Sequence, residues 1–446
     1  MNRKRNGSWS KGLSAVICTG LLLTACSGGG EANKAKDDPK SPGISKDPVT
    51  VKFATTQGIF NEAEFKQYVT DPVVKKYPNI TVEYINMSTQ GSSLNELVSA
   101  GTIPDVVVGY GATLKQLKEL KLFSNMDPLI KKYQLDLSRI IPQTLEYTKV
   151  NSDTDYYGGL PLFNNAFGLF YNKTLFDKFG VPYPKDGMTW EEVGDLGKKL
   201  TRVYDGTQYR GFFPDGVNRM INQIELLQLN KDNKSILTTE PWKKAFDLWN
   251  YVYNYPGNAD APYNTINFGN NVTAFGKGEL AMIAGYSATL LSLRKIPDLN
   301  FDIVTYPQHK DHMGYSTNVD TPNFSITEQS KVKDAAFLVL QTMLTDEVQL
   351  DLARNAKMSI LNNDQVRAEF GKAIPEFQGK NMNLSAMAKL KPSVPKTPKY
   401  STSDTNKIVS DAYESVLKKE KDVNTALRDA DEAMNKLVEQ KIKLNP

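Results

Sequence analysis

From residue 49 onward, short apolar runs alternate with amphipathic stretches. Val49–Thr55 (VTVKFAT) switches apolar and polar residues at period two, the pattern of a half-buried strand. A polar, glycine-containing loop, Thr56–Phe60, follows. Glu62–Tyr77 has helical periodicity, interrupted near Asp71–Pro72 and closed by Pro78. Ile80–Asn86 predicts a second strand and Ser93–Ala100 a short helix with Gly101 past its end. Asp105–Tyr110 (DVVVGY) predicts a buried strand, and Ala112–Leu120 returns to helix. This strand–helix alternation predicts an open parallel sheet with helices on both faces. Ligands bind such sheets at the carboxyl ends of strands, which points to Thr56–Phe60 and to Tyr110–Gly111.

The stretch Tyr157–Phe176 (YGGLPLFNNAFGLFYNKTLF) sits where this part meets a largely helical middle. Gly158, Gly159 and Pro161 break the chain, Asn164 and Asn165 interrupt an aromatic run, and Leu169–Tyr171 reads as buried strand. Thr189-Trp190-Glu191-Glu192 is a capping box opening a helix. In the helix from Pro241 to Tyr253, Trp242, Ala245, Phe246 and Trp249 share one face, a stripe expected to be core. Apolar strands resume at Leu280–Tyr286, Phe301–Tyr306 and Phe324–Thr327, as if the chain re-entered the first sheet. Lys391–Tyr400 is a proline-rich surface segment, and two amphipathic helices, Asp404–Lys419 and Val423–Gln440, finish the sequence.

Composition narrows the chemistry. Arg3, Lys4, Arg5 and Lys11 supply the whole formal charge of +4, so residues 26–446 carry none and present no electrostatic case for nucleic acid. The two cysteines, Cys18 and Cys26, lie in the first 26 residues, which leaves the body without a disulfide or thiolate nucleophile. His309 and His312 are the two histidines, spaced HxxH in a polar loop and expected in solvent rather than on a metal. Nucleophilic triads are therefore hard to build, and neither GxSxG nor a phosphate-binding glycine motif occurs. A glycosidase needs only two carboxylates, so a cell-surface glycoside hydrolase or lyase acting on polysaccharide stays the alternative reading. The 21 tyrosines and 19 phenylalanines, with many amides, suit a cleft for a neutral polar ligand: rings stack on sugar C–H faces and amides bond hydroxyls.

The N-terminus reads as an export signal. The basic residues precede an apolar run, Leu13–Ala25, that is far short of the roughly 20 residues needed to cross a bilayer. Leu23-Thr24-Ala25-Cys26 resembles a bacterial lipobox. From Cys26 to Pro48 the chain is polar and rich in Gly, Lys, Asp, Pro and Ser, a disordered tether.

Taken together, the lipobox, Ile103–Val108 (IPDVVV), Gly159–Pro161 with Gly168–Phe176, Thr189–Glu192 and Ala274–Met282 (AFGKGELAM) resemble the family 1 extracellular solute-binding proteins of bacterial ABC importers, the maltose-binding-like group. The likeness runs from about Val49 to Leu350. It implies an α/β, two-lobed periplasmic-binding-protein-like fold of type II, each lobe a mostly parallel sheet flanked by helices, joined by crossing hinge segments. Expected boundaries are a lipoprotein signal peptide at 1–25, a tether at 26–48, a first lobe of 49–160 with 279–327, and a second of 161–278 with 328–446. The resemblance implies cleavage before Cys26 and its lipidation, hence a cell-membrane location on the extracellular face. Leu160 and Pro161 would form the first hinge crossing, a second would lead into Leu280 and a third would fall near Thr321–Ser330. Gln57, Tyr110, Phe163, Asn164 and Tyr286 would contact ligand, Tyr286 standing where many sugar binders carry a stacking Trp, and Asn165 beside Asn164 is a further candidate for ligand hydroxyls. Expected partners are a sugar or oligosaccharide and ABC permease transmembrane subunits, for a monomer with no cofactor, no catalytic residue and no metal.

Overall fold

The computed structural model describes residues 47–259, 268–378, 391–393, 400 and 403–444. Cys26, segment 1–25 and nearly all of 26–48 lie outside them.

Two five-stranded sheets organise these residues. The first uses β1 (Val49–Thr55), β2 (Ile80–Asn86), β3 (Val106–Gly109), β4 (Leu160–Pro161) and, much later in the chain, β11 (Asn323–Ile326), in the order β2-β1-β3-β11-β4. The second uses β5 (Phe167–Asn172), β6 (Arg202–Tyr204), β7 (Thr207–Phe213), β8 (Leu280–Tyr286) and β9 (Phe301–Thr305), in the order β6-β7-β8-β5-β9. Each sheet has its own apolar core. Val51, Phe53, Val106, Phe324 and Phe337 belong to the first, while Phe170, Trp190, Phe212, Trp249 and Met282 belong to the second.

Both sheets are mixed rather than mostly parallel. β1 runs parallel to β2 and β3, but β11 is antiparallel to β3 and β4; β8 is parallel to β7 and antiparallel to β5, which is antiparallel to β9. The cause is the path of the chain. A strand that arrives from the other lobe enters at the shared edge and runs back against its neighbours.

The expected lobe boundaries need correction on the same ground. β8 and β9 pair with β5 and stay in the second lobe; only β11 returns to the first sheet. Uniformly apolar strands such as LAMIAGY carry no pattern that says which sheet takes them. The helices Lys333–Met343 and Asp346–Arg354 then bury Phe337, Leu338 and Leu352 in the first core, so residues up to about 354 are not second-lobe chain. The terminal helices Ser403–Leu417 and Val423–Leu444 do join the second core, through Val409, Tyr413, Leu427 and Met434. The stripe Trp242, Ala245, Phe246 and Trp249 is fully buried there as well. Lys391–Ser393 pairs with β10 (Tyr315–Asn318) in a two-stranded ribbon.

The helical run after β1 shows how a local sequence problem is absorbed. Pro72 lacks an N–H and would clash with the preceding turn. The chain widens to a π-helix at Lys66–Thr70 and resumes α-helix at Asp71–Lys76 instead of breaking.

Candidate functional site

Strand direction brings the site together. Residue pairing sets Asn323 opposite both Gly109 and Pro161, so β3 and β4 end where β11 begins. Tyr110, the segment after Pro161 and the segment before Asn323 therefore leave one edge of the first sheet. In the second sheet Phe167 faces Tyr286, and Phe213 lies beside Ile283, so the start of β5 and the ends of β7 and β8 share an edge.

Three segments pass between these edges. The first is Leu162–Ala166 and the second Val319–Pro322. A third follows Arg354, where Ala356 and Met358 pack in the second core and Ile360 in the first. The three lie side by side. Asn164 and Met358 exchange backbone hydrogen bonds of 2.8 and 3.1 Å; Asn165 N–H donates to Asp320 O at 2.9 Å and Leu162 N–H to Pro322 O at 3.1 Å. The crossing expected near Thr321–Ser330 thus lies at Val319–Pro322, and the one expected before Leu280 is corrected to the chain after Arg354. Leu160 and Pro161 form β4 and end just ahead of the first crossing.

Beside the crossings is a cavity of ≈ 390 Å³. Of the residues anticipated as ligand contacts, Tyr110, Phe163 and Tyr286 line it, and Gln57 and Asn164 do not. Gln57 is exposed, its backbone N–H donating to Ser88 Oγ at 3.2 Å. Asn164 turns its side chain into the hinge, where Oδ1 accepts from Asp320 N–H at 3.1 Å. Its neighbour Asn165 faces the cavity instead, and its Nδ2 donates to the Tyr110 hydroxyl and to Asp320 Oδ2, both at 3.2 Å.

Rings at the wall are held by other rings. Tyr286 stacks on Phe268 at 5.3 Å and 27°, and Phe163 meets Phe60 edge-on at 5.7 Å. Such pairs are worth about 1 kcal/mol each beyond burial, which fixes the rings before any ligand arrives. Burial, with Asp320 nearby, pushes the Tyr110 hydroxyl well above its ordinary range, so it stays a neutral donor.

Charged residues that the sequence did not point to complete the site. Arg219, on the helix Val217–Gln223 just past β7, forms an ion pair with Asp215 at 2.9 Å, and a terminal nitrogen lies 4.0 Å from Asp320 Oδ2. Its guanidinium carbon is 4.7 Å from the Phe167 ring centroid and 5.9 Å from that of Tyr286. Asp215 adopts a left-handed φ of 72°, an uncommon state outside glycine, and this turn aims the helix at the cleft. Burial lifts its carboxyl most, Arg219 opposes and Asp320 adds, leaving it at about 6. Lys357, in the third crossing, pairs with Glu64 at 3.0 Å and lies 5.3 Å from the Phe163 ring. A donor-rich, ring-lined pocket beside three crossing segments has the chemistry to hold a polar ligand.

A family model described as bacterial extracellular solute-binding protein matches residues 65–377. The chain belongs to that family. Membership places this solute-binding protein outside the cytoplasm, and among the described residues no helix is long and apolar enough to cross a membrane. A multiple sugar-binding protein of Streptococcus mutans is 26% identical over 194 residues, covering 42% of this chain and 40% of that curated relative. Solved structures share the two-lobed fold. An ABC substrate-binding protein from Listeria monocytogenes in complex with cycloalternan aligns at TM-score 0.66 and 19% identity, covering 87% of this chain and 99% of its own. The sugar-binding protein MalE from Xanthomonas citri aligns at 0.68 and 18%, with coverages of 89% and 99%. The cyclic alpha-maltosyl-1,6-maltose binding protein from Arthrobacter globiformis aligns at 0.68 and 17%, with 88% and 100%.

Of the two histidines, His309 is not free in solvent. It is half-buried, with Nε2 3.0 Å from Met220 O, and so braces the helix that carries Arg219.

Proposed function

We propose that this protein is a lipid-anchored binding protein that captures a carbohydrate in the cleft between its lobes and delivers it to the transmembrane subunits of an ABC permease. The observation that carries the reading is the cavity at the crossing segments, walled by Tyr110, Phe163 and Tyr286 and edged by Asn165, Arg219 and Asp320. Rings of this kind stack on sugar faces while amides and charges bond hydroxyls. Relatives whose descriptions name sugars support the same ligand class. The ligand touches both lobes, so its differential affinity favours the closed state, and the two lobe surfaces then meet the permease together. Leu160 and Pro161 brace the first crossing, and Cys26 carries the lipid that holds a monomer at the membrane.

Calorimetric titration of the purified protein against neutral and acidic mono- and oligosaccharides tests the ligand class. We expect saturable binding and a raised melting temperature for a member of the panel. Failure of every carbohydrate to bind refutes the reading. Cys26→Ala tests the anchor separately, with release of the protein from cells into the medium as the expected result.

A further inference from the structure

We propose that the ligand is an acidic carbohydrate, a sugar bearing a carboxylate, held by Arg219 and Lys357. This rests on the carbohydrate reading above and narrows it.

The cavity wall is richer in donors than in acceptors. Two cations line it, Arg219 from the second lobe and Lys357 from the third crossing. Each is steadied by a carboxylate set behind the wall rather than on it: Asp215 behind Arg219 at 2.9 Å and Glu64 behind Lys357 at 3.0 Å. Among the described lining residues the acid is Asp320. Asp320 is already engaged, since its Oδ2 accepts from Asn165 Nδ2 at 3.2 Å.

Donor accounting points the same way. A guanidinium offers a planar fork of N–H groups and no acceptor, and an ammonium offers three donors. Among the described residues, the carboxylate oxygen within hydrogen-bond distance of Arg219 faces Nε, while the terminal nitrogen nearest Asp320 stands 4.0 Å off, too far for a hydrogen bond. The Arg219 side chain is 28% exposed and that of Lys357 9%, so bulk water does not satisfy these donors freely. Each cation has one carboxylate partner and further N–H groups, and because both line the cavity a ligand there can pair the remaining donors. A neutral hydroxyl accepts from such donors but also brings a proton that needs an acceptor of its own. A carboxylate only accepts, and it fits the end of an arginine fork in bidentate fashion. Phe163 beside Lys357 and Tyr286 beside Arg219 supply the sugar-stacking surface next to each cation.

The test titrates the full-length protein with oligogalacturonate, oligomannuronate and glucuronoxylo-oligosaccharides, each against its carboxyl-reduced neutral form. At least one acidic member should bind about tenfold or more tightly than its reduced form. Arg219→Gln and Lys357→Met should each erase most of that preference, with circular dichroism verifying that both variants fold like the wild type. Equal binding of acidic and reduced forms, or binding of neutral sugars alone, overturns the acidic assignment and leaves the carbohydrate reading intact. An acidic preference that survives both substitutions overturns the assignment to these two residues. Absence of binding by every acidic and neutral sugar removes both readings.

Discussion

Replacing Arg219 with glutamine probes the charge cluster through the stability of the fold. The guanidinium sits 2.9 Å from Asp215 and 4.0 Å from Asp320, with Tyr286 and Tyr306 also facing the pair. Lifting the Asp215 carboxyl from its ordinary 3.8 to about 6 corresponds to roughly 3 kcal/mol of stability withheld above that pH. The sign follows from proton uptake. Between pH 4 and 6 the folded state binds the proton before the unfolded state does, so stability falls as pH rises through the window. Without the arginine, the folded-state carboxyl climbs higher still. Two unit charges about 4 Å apart interact by about 4 kcal/mol at an effective dielectric of 20. With the side chains 28% and 10% exposed, roughly 1–3 kcal/mol of that survives screening and desolvation. Arg219→Gln should therefore lower Tm by roughly 1–4 °C at pH 7.5 in a chain of this size. At pH 5, where Asp215 is protonated in both proteins, the deficit should shrink to less than half. The double variant Arg219→Gln/Asp215→Asn should recover most of the loss at pH 7.5. Differential scanning calorimetry at the two pH values decides. His309, whose imidazole burial pushes below its ordinary range, titrates in both proteins and cancels in the difference. A deficit that is equal at both pH values, or larger at pH 5, refutes the reasoning, as does a double variant no more stable than the single one.

The paired asparagines should separate by assay: Asn164→Ala loses the bond from Asp320 N–H and costs about 1 kcal/mol in denaturant melts with affinity nearly kept, whereas Asn165→Ala lowers ligand affinity measured by calorimetry. Tyr286→Ala removes a ring already stacked on Phe268 and should weaken sugar binding by about 1–2 kcal/mol, read as a roughly 5- to 30-fold rise in Kd. Gly158→Ala would put a Cβ 1.5 Å from a Phe123 ring atom, so the ring must shift, and urea unfolding should show a loss of about 1–3 kcal/mol.

Elements with a strong local signal were readable from the chain. Period-two and apolar runs located most of the strands, and the capping box at Thr189–Glu192 is present as expected. Tyr110 could be singled out because it follows an apolar strand, where open sheets place ligands, whereas Tyr286 was pointed to by the resemblance to sugar binders that carry a stacking Trp there. Asn164 and Asn165 were both candidates for ligand hydroxyls, and the sequence could not choose between them, since which of two adjacent amides faces the cavity depends on the backbone hydrogen bonds to Met358 and Asp320. Arg219, Asp320 and Lys357 carried no local signal. They lie in three separate segments, and their meeting depends on a crossover pattern that apolar strands cannot encode. The destination of Leu280–Tyr286 was misread for the same reason.

The late arrival of β11 also bears on how the protein is made. β3 has β1 on one side from the outset, but its other neighbour comes more than 200 residues later, at Asn323–Ile326. The helices that close the first core come later still, at Lys333–Met343 and Asp346–Arg354. During synthesis the first lobe therefore has an open strand edge until the whole sheet of the second has been made. Contacts of such long sequence separation fold slowly. For a protein that works outside the cytoplasm, this topology keeps either half from closing before most of the chain has been made.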